Sequence, residues 1–138
     1  MNIKKFAEKF IKAEDEAWLK GNFKPLEALE DPKVIYHFIL MGQEIIGYEA
    51  HKQQILDFKA GFSSLKQVWK YLTGEGNLFA LSYISNYISN GKIPSLPPAG
   101  GKLSGNSIFL FRLKNRKIIE AWVNGTMKGI DSDAYLKK

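Results

Sequence analysis

No cysteine occurs in the 138 residues. Disulfides, thiolate metal sites, iron–sulfur clusters and a cysteine nucleophile are therefore excluded. Arginine is almost missing as well: of 20 basic residues, only Arg112 and Arg116 are not lysine. The net charge of +6 invites an acidic partner, but base and phosphate recognition favours the planar arginine fork, and these lysines are scattered along the chain. Nucleic acid is not an expected partner. The densest basic group, Arg112, Lys114, Arg116 and Lys117, surrounds a hairpin turn at Lys114-Asn115-Arg116 and reads as a solvated tip. No apolar run approaches the ~20 residues a membrane helix needs. Glu8, Lys9, Lys12, Glu14, Asp15 and Glu16 occupy the stretch where a signal peptide needs an uncharged apolar segment. The expectation is a cytoplasmic protein without membrane attachment. Gly100-Gly101-Lys102-Leu103-Ser104 lacks the upstream glycine of a phosphate loop. Two histidines without a matching carboxylate spacing make no metal motif, so neither metal nor cofactor is expected.

What is present suits one domain over 1–138, with enough apolar residues for a single core. Ile3, Phe6, Phe10, Ala13, Ala17 and Trp18 recur at three- and four-residue steps, the stripe of an amphipathic helix that Gly21-Asn22 ends. Pro25 opens a short second helix, which completes the helical segment 1–30. The β-branched and aromatic run Val34 to Leu40 predicts a first strand over 33–40. Gly47-Tyr48-Glu49 opens a helix over 47–62, with Ala50, Ile55, Leu56, Phe58 and Phe62 on its buried face. From Ser64 the period changes to two, and a four-strand meander over 66–127 follows, turning at Gly74-Glu75-Gly76-Asn77 and at Lys114-Asn115-Arg116. Its third strand is expected from Ser107, after a loop rich in proline and glycine. The tail 128–138, with Asp131 and Asp133, is expected to face solvent. The class is α+β, with helices on one face of a curved antiparallel sheet and a cavity on its concave side.

Several short segments, in this order, resemble the SnoaL-like polyketide cyclases of the nuclear-transport-factor-2-like superfamily. They are Val34-Ile35-Tyr36-His37, Gly47-Tyr48-Glu49, Leu96-Pro97-Pro98-Ala99-Gly100-Gly101-Lys102, Phe109-Leu110-Phe111-Arg112 and Lys117-Ile118-Ile119-Glu120-Ala121-Trp122. The resemblance implies a conical barrel with an apolar pocket and a dimer or tetramer formed through the outer face of the sheet, of which a homodimer is the expectation here. It also implies an acid/base aspartate four residues beyond the tryptophan of the last strand. That position is Thr126 here, and Ser85-Asn86-Tyr87 stand where the resemblance implies a histidine.

Other residues must then supply the chemistry. His37, between aromatic neighbours on a strand, is the first candidate for proton transfer. His51, early in the third helix, reads as a surface residue. Glu120, Trp122, Asn124 and Thr126 share parity on the last strand. If their face lines the cavity, Glu120 is a second acid/base candidate with a raised pKa, Trp122 a wall, and Asn124 and Thr126 hydrogen-bonding groups. The alternative for Glu120 is an ion pair with Arg112. Tyr71, Tyr83 and Tyr87 are candidates to line the site and orient a carbonyl or phenol. Three readings stay open: an enzyme moving protons on a small apolar or aromatic carbonyl compound, a non-catalytic ligand-binding pocket, and a dimeric assembly module.

Overall fold

The computed structural model describes residues 1–129; Asp131, Asp133 and the rest of the tail lie outside them. Helix α1 spans Ile3–Lys20, where the apolar stripe predicts it. The Asn2 side chain accepts a hydrogen bond from the Lys5 amide at 3.0 Å at its start. Gly21 ends it in the left-handed region, φ +69°, with its amide donating to the Ala17 carbonyl. Helix α2 is Lys24–Leu29 and runs straight into strand β1, Glu30–Phe38. The strand thus begins earlier than expected, because Glu30 is already extended as the helix ends. Pro32 is accommodated because pairing is irregular between Glu30 and Ile35. Ile39 and Leu40 are not strand but part of an exposed turn. This turn leads to a strand that no periodicity announces, β2, Gln43–Ile46.

Helix α3, Tyr48–Lys59, buries Tyr48, His51 and Ile55, whereas Ala50 and Leu56, expected inside, are exposed, and the helix ends three residues before the expected 62, since Phe62 already belongs to the next strand. The meander follows as β3 (Phe62–Glu75), β4 (Leu78–Ser89), β5 (Lys102–Lys114) and β6 (Lys117–Lys128). Strand β5 begins at Lys102, five residues before the expected Ser107, because Lys102 already pairs with Ile88. Asn115 and Arg116 form the predicted hairpin tip at φ +52° and +61°, the hand that a two-residue turn between twisted strands requires.

The six strands are ordered β2-β1-β6-β5-β4-β3. Every neighbouring pair is antiparallel except β1 and β6, which are parallel. The sheet is curved and unclosed, with β2 and β3 as its edges, so the expected cone is open on one side. Within it the first half of α1 packs Phe10 edge-on against Phe111, ring centroids 4.8 Å apart, and against Phe79 at 6.2 Å. The second half of α1 carries Glu14 and Trp18 to the wall of a cavity.

Candidate active site

The cavity measures about 620 Å³ and is walled mainly by aromatic and aliphatic side chains from the concave face, α1 and α3, dimensions typical of a small-molecule pocket. Its polar groups are concentrated. Glu14 lies on the apolar stripe of α1, four residues after Phe10, and is buried at 3% exposure. Trp18, one turn further, donates its indole N–H to Glu14 Oε2 at 2.9 Å. Burial pushes the Glu14 carboxyl up to about 8, the nearby His51 opposing and Glu30 adding to the shift. At neutral pH Glu14 is therefore largely an uncharged acid.

Opposite it, Glu30 is fully buried at the junction of α2 and β1. Its Oε2 accepts the Tyr36 hydroxyl at 2.7 Å, and its Oε1 lies 2.9 Å from His51 Nδ1. The His51 ring stacks on Tyr36 with centroids 3.9 Å apart. Burial alone would lower the His51 pKa, but the charge and hydrogen bond of Glu30, with Glu14 behind, outweigh it and hold the imidazole above its ordinary value. Nδ1 is taken by Glu30, which leaves Nε2 for a ligand. Ligand atoms of Glu14, Glu30 and His51 fall within 4.8 Å of one another, the one grouping of metal-binding type among the described residues. Both Glu30 oxygens are already in hydrogen bonds, and Glu14 carries a proton near neutrality. The trio is an acid–base cluster before it is a cation site.

The sequence candidates are distributed differently. His37, Glu120, Trp122 and Asn124 are absent from the cavity wall. For Glu120, Trp122 and Asn124 the shared parity holds and points to the convex face, whereas Thr126, near the end of the strand, meets the cavity. On the convex face His37 Nε2 sits 2.6 Å from Glu120 Oε2 and Nδ1 2.9 Å from Glu44, and the ring stacks on Trp122 at 5.5 Å. Glu120 also meets Arg112, the ion pair held open as the alternative. Its carboxyl is lowered, chiefly by the His37 hydrogen bond, not raised as a pocket glutamate would be. Tyr71 follows Trp69 on the concave side but lies beyond the cavity, packed against the core near Ile3. Tyr83 and Tyr87 do line the cavity, and so does Thr126, which is exposed. His51, read as a surface residue, is at the centre. Glu14 and Glu30 were not singled out, although the four-residue steps Phe6, Phe10, Glu14, Trp18 put one carboxylate squarely on the apolar stripe.

One expectation follows for the convex cluster. His37→Ala should cost about 1 kcal/mol or less, the usual worth of a partly solvated pair. It should leave ligand affinity and any turnover of the cavity within two-fold; a larger loss of turnover would return His37 to the site.

Comparison with known proteins agrees with this architecture. A family model for SnoaL-like polyketide cyclase matches residues 8–125. IdmH of Streptomyces antibioticus superposes with a TM-score of 0.73 at 16% identity, covering 100% of both chains. TsrD of Streptomyces laurentii gives 0.73 at 16% identity, with 87% of each chain covered. A SnoaL-like polyketide cyclase of Agrobacterium tumefaciens gives 0.70 at 14% identity, covering 88% of this chain and 91% of that one. Among curated proteins no relative matches. No helix among the described residues is long and apolar enough to cross a membrane. The fold matches, together with a family model that spans most of the sequence, place this chain in the SnoaL-like polyketide cyclase family.

Proposed function

We propose that the chain is a cofactor-independent enzyme that moves a proton on a small, uncharged, mainly apolar or aromatic carbonyl compound, with Glu14 as the acid/base. The observation that carries this reading is a fully buried carboxyl on the wall of an apolar cavity, facing a hydrogen-bonded His51–Glu30 pair. No lysine or arginine lines the cavity among the described residues, although the chain is basic. A phosphorylated or multiply anionic substrate would find no counter-charge beyond His51.

In the ionised form, Glu14 removes a proton from the carbon next to the carbonyl. The C–H electron pair moves into the carbon–carbon bond, and the carbonyl π pair onto oxygen. His51, charged and held by Glu30, donates from Nε2 to that oxygen and stabilises the enolate. The proton on Glu14 then returns to the opposite face of that carbon, or to the far carbon of a conjugated double bond, which isomerises the substrate. In the alternative outcome the enolate carbon attacks a second carbonyl, and Glu14 protonates the new alkoxide, which closes a ring. A carboxyl with a pKa of about 8 suits both directions, because it gives and takes protons near the working pH. The resemblance implies an acid/base aspartate at the position of Thr126, and in this reading Glu14 takes that role from another element.

The test is exchange of the α-protons of a naphthyl methyl ketone in heavy water, followed by NMR. Exchange faster with the protein than in buffer, and lost in Glu14→Gln, supports the reading. Binding of the ketone without exchange favours a carrier pocket instead.

Pairing of two copies is proposed through the convex face. Val68 stands opposite Ile84, and Leu110 stands between Ala80 and Trp122. Val68, Leu72, Ile84, Ile108 and Leu110 are all exposed, an apolar surface beyond what isolated residues explain. Size-exclusion chromatography should give a dimer that Ile108→Lys converts to monomer, and a monomeric wild type would dismiss it.

A further inference from the structure

The cavity has a second polar place, formed by Tyr83 and Tyr87, and its hydrogen bonds have a fixed direction. Tyr87 and Tyr83 hydroxyl oxygens lie 2.9 Å apart. Tyr83 donates to Gln67 Oε1 at 2.8 Å, and Gln67 donates from Nε2 to Asp15 Oδ1 at 2.8 Å. Asp15 lies on α1 and is absent from the cavity wall. Its carboxylate only accepts, so the amide nitrogen of Gln67 must face it and the amide oxygen must face Tyr83. That oxygen in turn only accepts, so the single hydroxyl hydrogen of Tyr83 is spent on it. Tyr83 is then the acceptor for Tyr87, and the hydrogen of Tyr87 is spent as well. The buried Ser85 hydroxyl beside both tyrosines acts as a further donor to them, so what Tyr87 offers the cavity is its remaining lone pair. The chain passes polarity from a partly exposed carboxylate to the cavity, while the amide in its middle blocks proton relay.

Resting on the reading of this cavity as a small-molecule site, we propose that Tyr87, set by Tyr83, Gln67 and Asp15, selects ligands that carry a hydroxyl or N–H donor. His51 presents the donor that takes the carbonyl, with Glu14 beside the adjoining carbon, and Tyr87 presents an acceptor. The ligand is thereby oriented from two ends. A carbonyl or ether oxygen at Tyr87 would meet a lone pair and lose its hydrogen bond, which is the stronger way for a polar site to reject a molecule. Tyr87 is a binding residue in this account; Gln67 and Asp15 are positioning residues.

Calorimetry with the whole chain and three probes tests this: a hydroxynaphthyl methyl ketone, its methyl ether, and the parent naphthyl methyl ketone. Wild type should bind the hydroxy ketone about ten-fold more tightly than either of the others, the worth of one good hydrogen bond. Tyr87→Phe should erase the difference. Asp15→Asn is the decisive variant, because an amide there lets Gln67 turn over and reverses every hydrogen in the chain. Tyr87 then becomes a donor, which the ether oxygen and the hydroxyl oxygen accept alike, so the hydroxy ketone should lose its advantage over the ether while both bind more tightly than the parent ketone. A merely structural Asp15 would weaken all three probes alike. Equal binding of hydroxy ketone and ether by wild type overturns the proposal, as does a preference that survives both variants. Glu14→Gln separates it from the acid–base reading: uniform loss across the probes with no hydroxyl preference leaves that reading standing and this one refuted. Retained hydroxyl preference with α-proton exchange intact in Glu14→Gln does the reverse. No binding of any probe refutes both.

Discussion

Glu30→Ala is expected to lower the stability of the fold by about 3–5 kcal/mol, the scale for removing one partner of a buried, hydrogen-bonded pair. For a chain of this length that is a fall in Tm of roughly 10 °C or more. Two donors lose their acceptor at once, the Tyr36 hydroxyl and the His51 Nδ1–H. Both groups lie in the interior, Tyr36 at 1% and His51 at 5% exposure. With the attraction of Glu30 gone, burial dominates at His51 and pulls its pKa down. Urea unfolding followed by tryptophan fluorescence measures the loss. Glu120→Ala is the matched comparison, a carboxylate that also bonds a histidine but on the partly solvated convex face. It should cost about 1 kcal/mol or less. Equal small losses in both would show that the inner cluster is no more tightly coupled to folding than the outer one.

Glu14→Gln should reduce turnover by roughly 10²–10⁴-fold, the usual contribution of a positioned acid/base. The shape of the site is kept, since the glutamine carbonyl can still accept from Trp18. The same substitution has an opposite effect on stability at alkaline pH. The folded pKa of about 8 exceeds the reference of 4.5, so the folded protein holds this proton more tightly than the unfolded chain. The stabilisation from the protonated carboxyl is complete below pH 4.5 and is lost as pH rises through 8, a change on the order of 5 kcal/mol. His51, also raised, acts in the same direction from pH 6.5 upward. Wild type should therefore unfold at progressively lower temperature between pH 5 and 9. Glu14→Gln should give a flatter profile and gain on wild type at the alkaline end. Activity of the wild type should rise with pH toward 8 as Glu14 ionises, a titration shared with His51 because the two groups are coupled. Parallel stability profiles for the two proteins would mean that the carboxyl ionises freely and would remove it from the mechanism.

The order of elements was legible because it depends on local period and punctuation. The stripe Phe6, Phe10, Ala13, Ala17 writes α1, Gly21 stops it, and alternation from Gln67 onward writes the meander. Strand β2 was hidden because Gln43–Ile46 is short and mostly exposed, so no alternation marks it. The β1–β6 pairing joins the first strand to the last, and no local pattern encodes which distant strand will lie alongside. The site was harder for a related reason. On β1 the neighbours Tyr36 and His37 point to opposite faces, and only the curvature of the sheet says that the cavity is on the side of Tyr36. Tyr83 and Tyr87 were legible as aromatic hydroxyls sharing one face of a strand, and the pairing of Tyr83 with Trp69 sets that face toward the cavity. Glu14 and His51 were within reach of the sequence. Each is a polar residue at helical spacing from buried apolar ones, His51 three after Tyr48 and four before Ile55. That is the position where burial is enforced and an ordinary pKa is not.

The parallel seam between β1 and β6 has a consequence for how the molecule is made. His37 and Glu120, which meet across it, are 83 residues apart in the chain, so the seam waits for nearly all of the strands to be synthesised. Contacts of such sequence separation form slowly and late. Strand β1, with Glu30 at its irregular start, is then a sheet edge along its β6 side in any partly made or partly folded chain, and its neighbour on the other side is only the four-residue β2. The growing chain therefore carries an open seam until its last strand docks. A stall in translation before β6 would leave that seam bare, and such a product should depend on a chaperone more than its short length suggests.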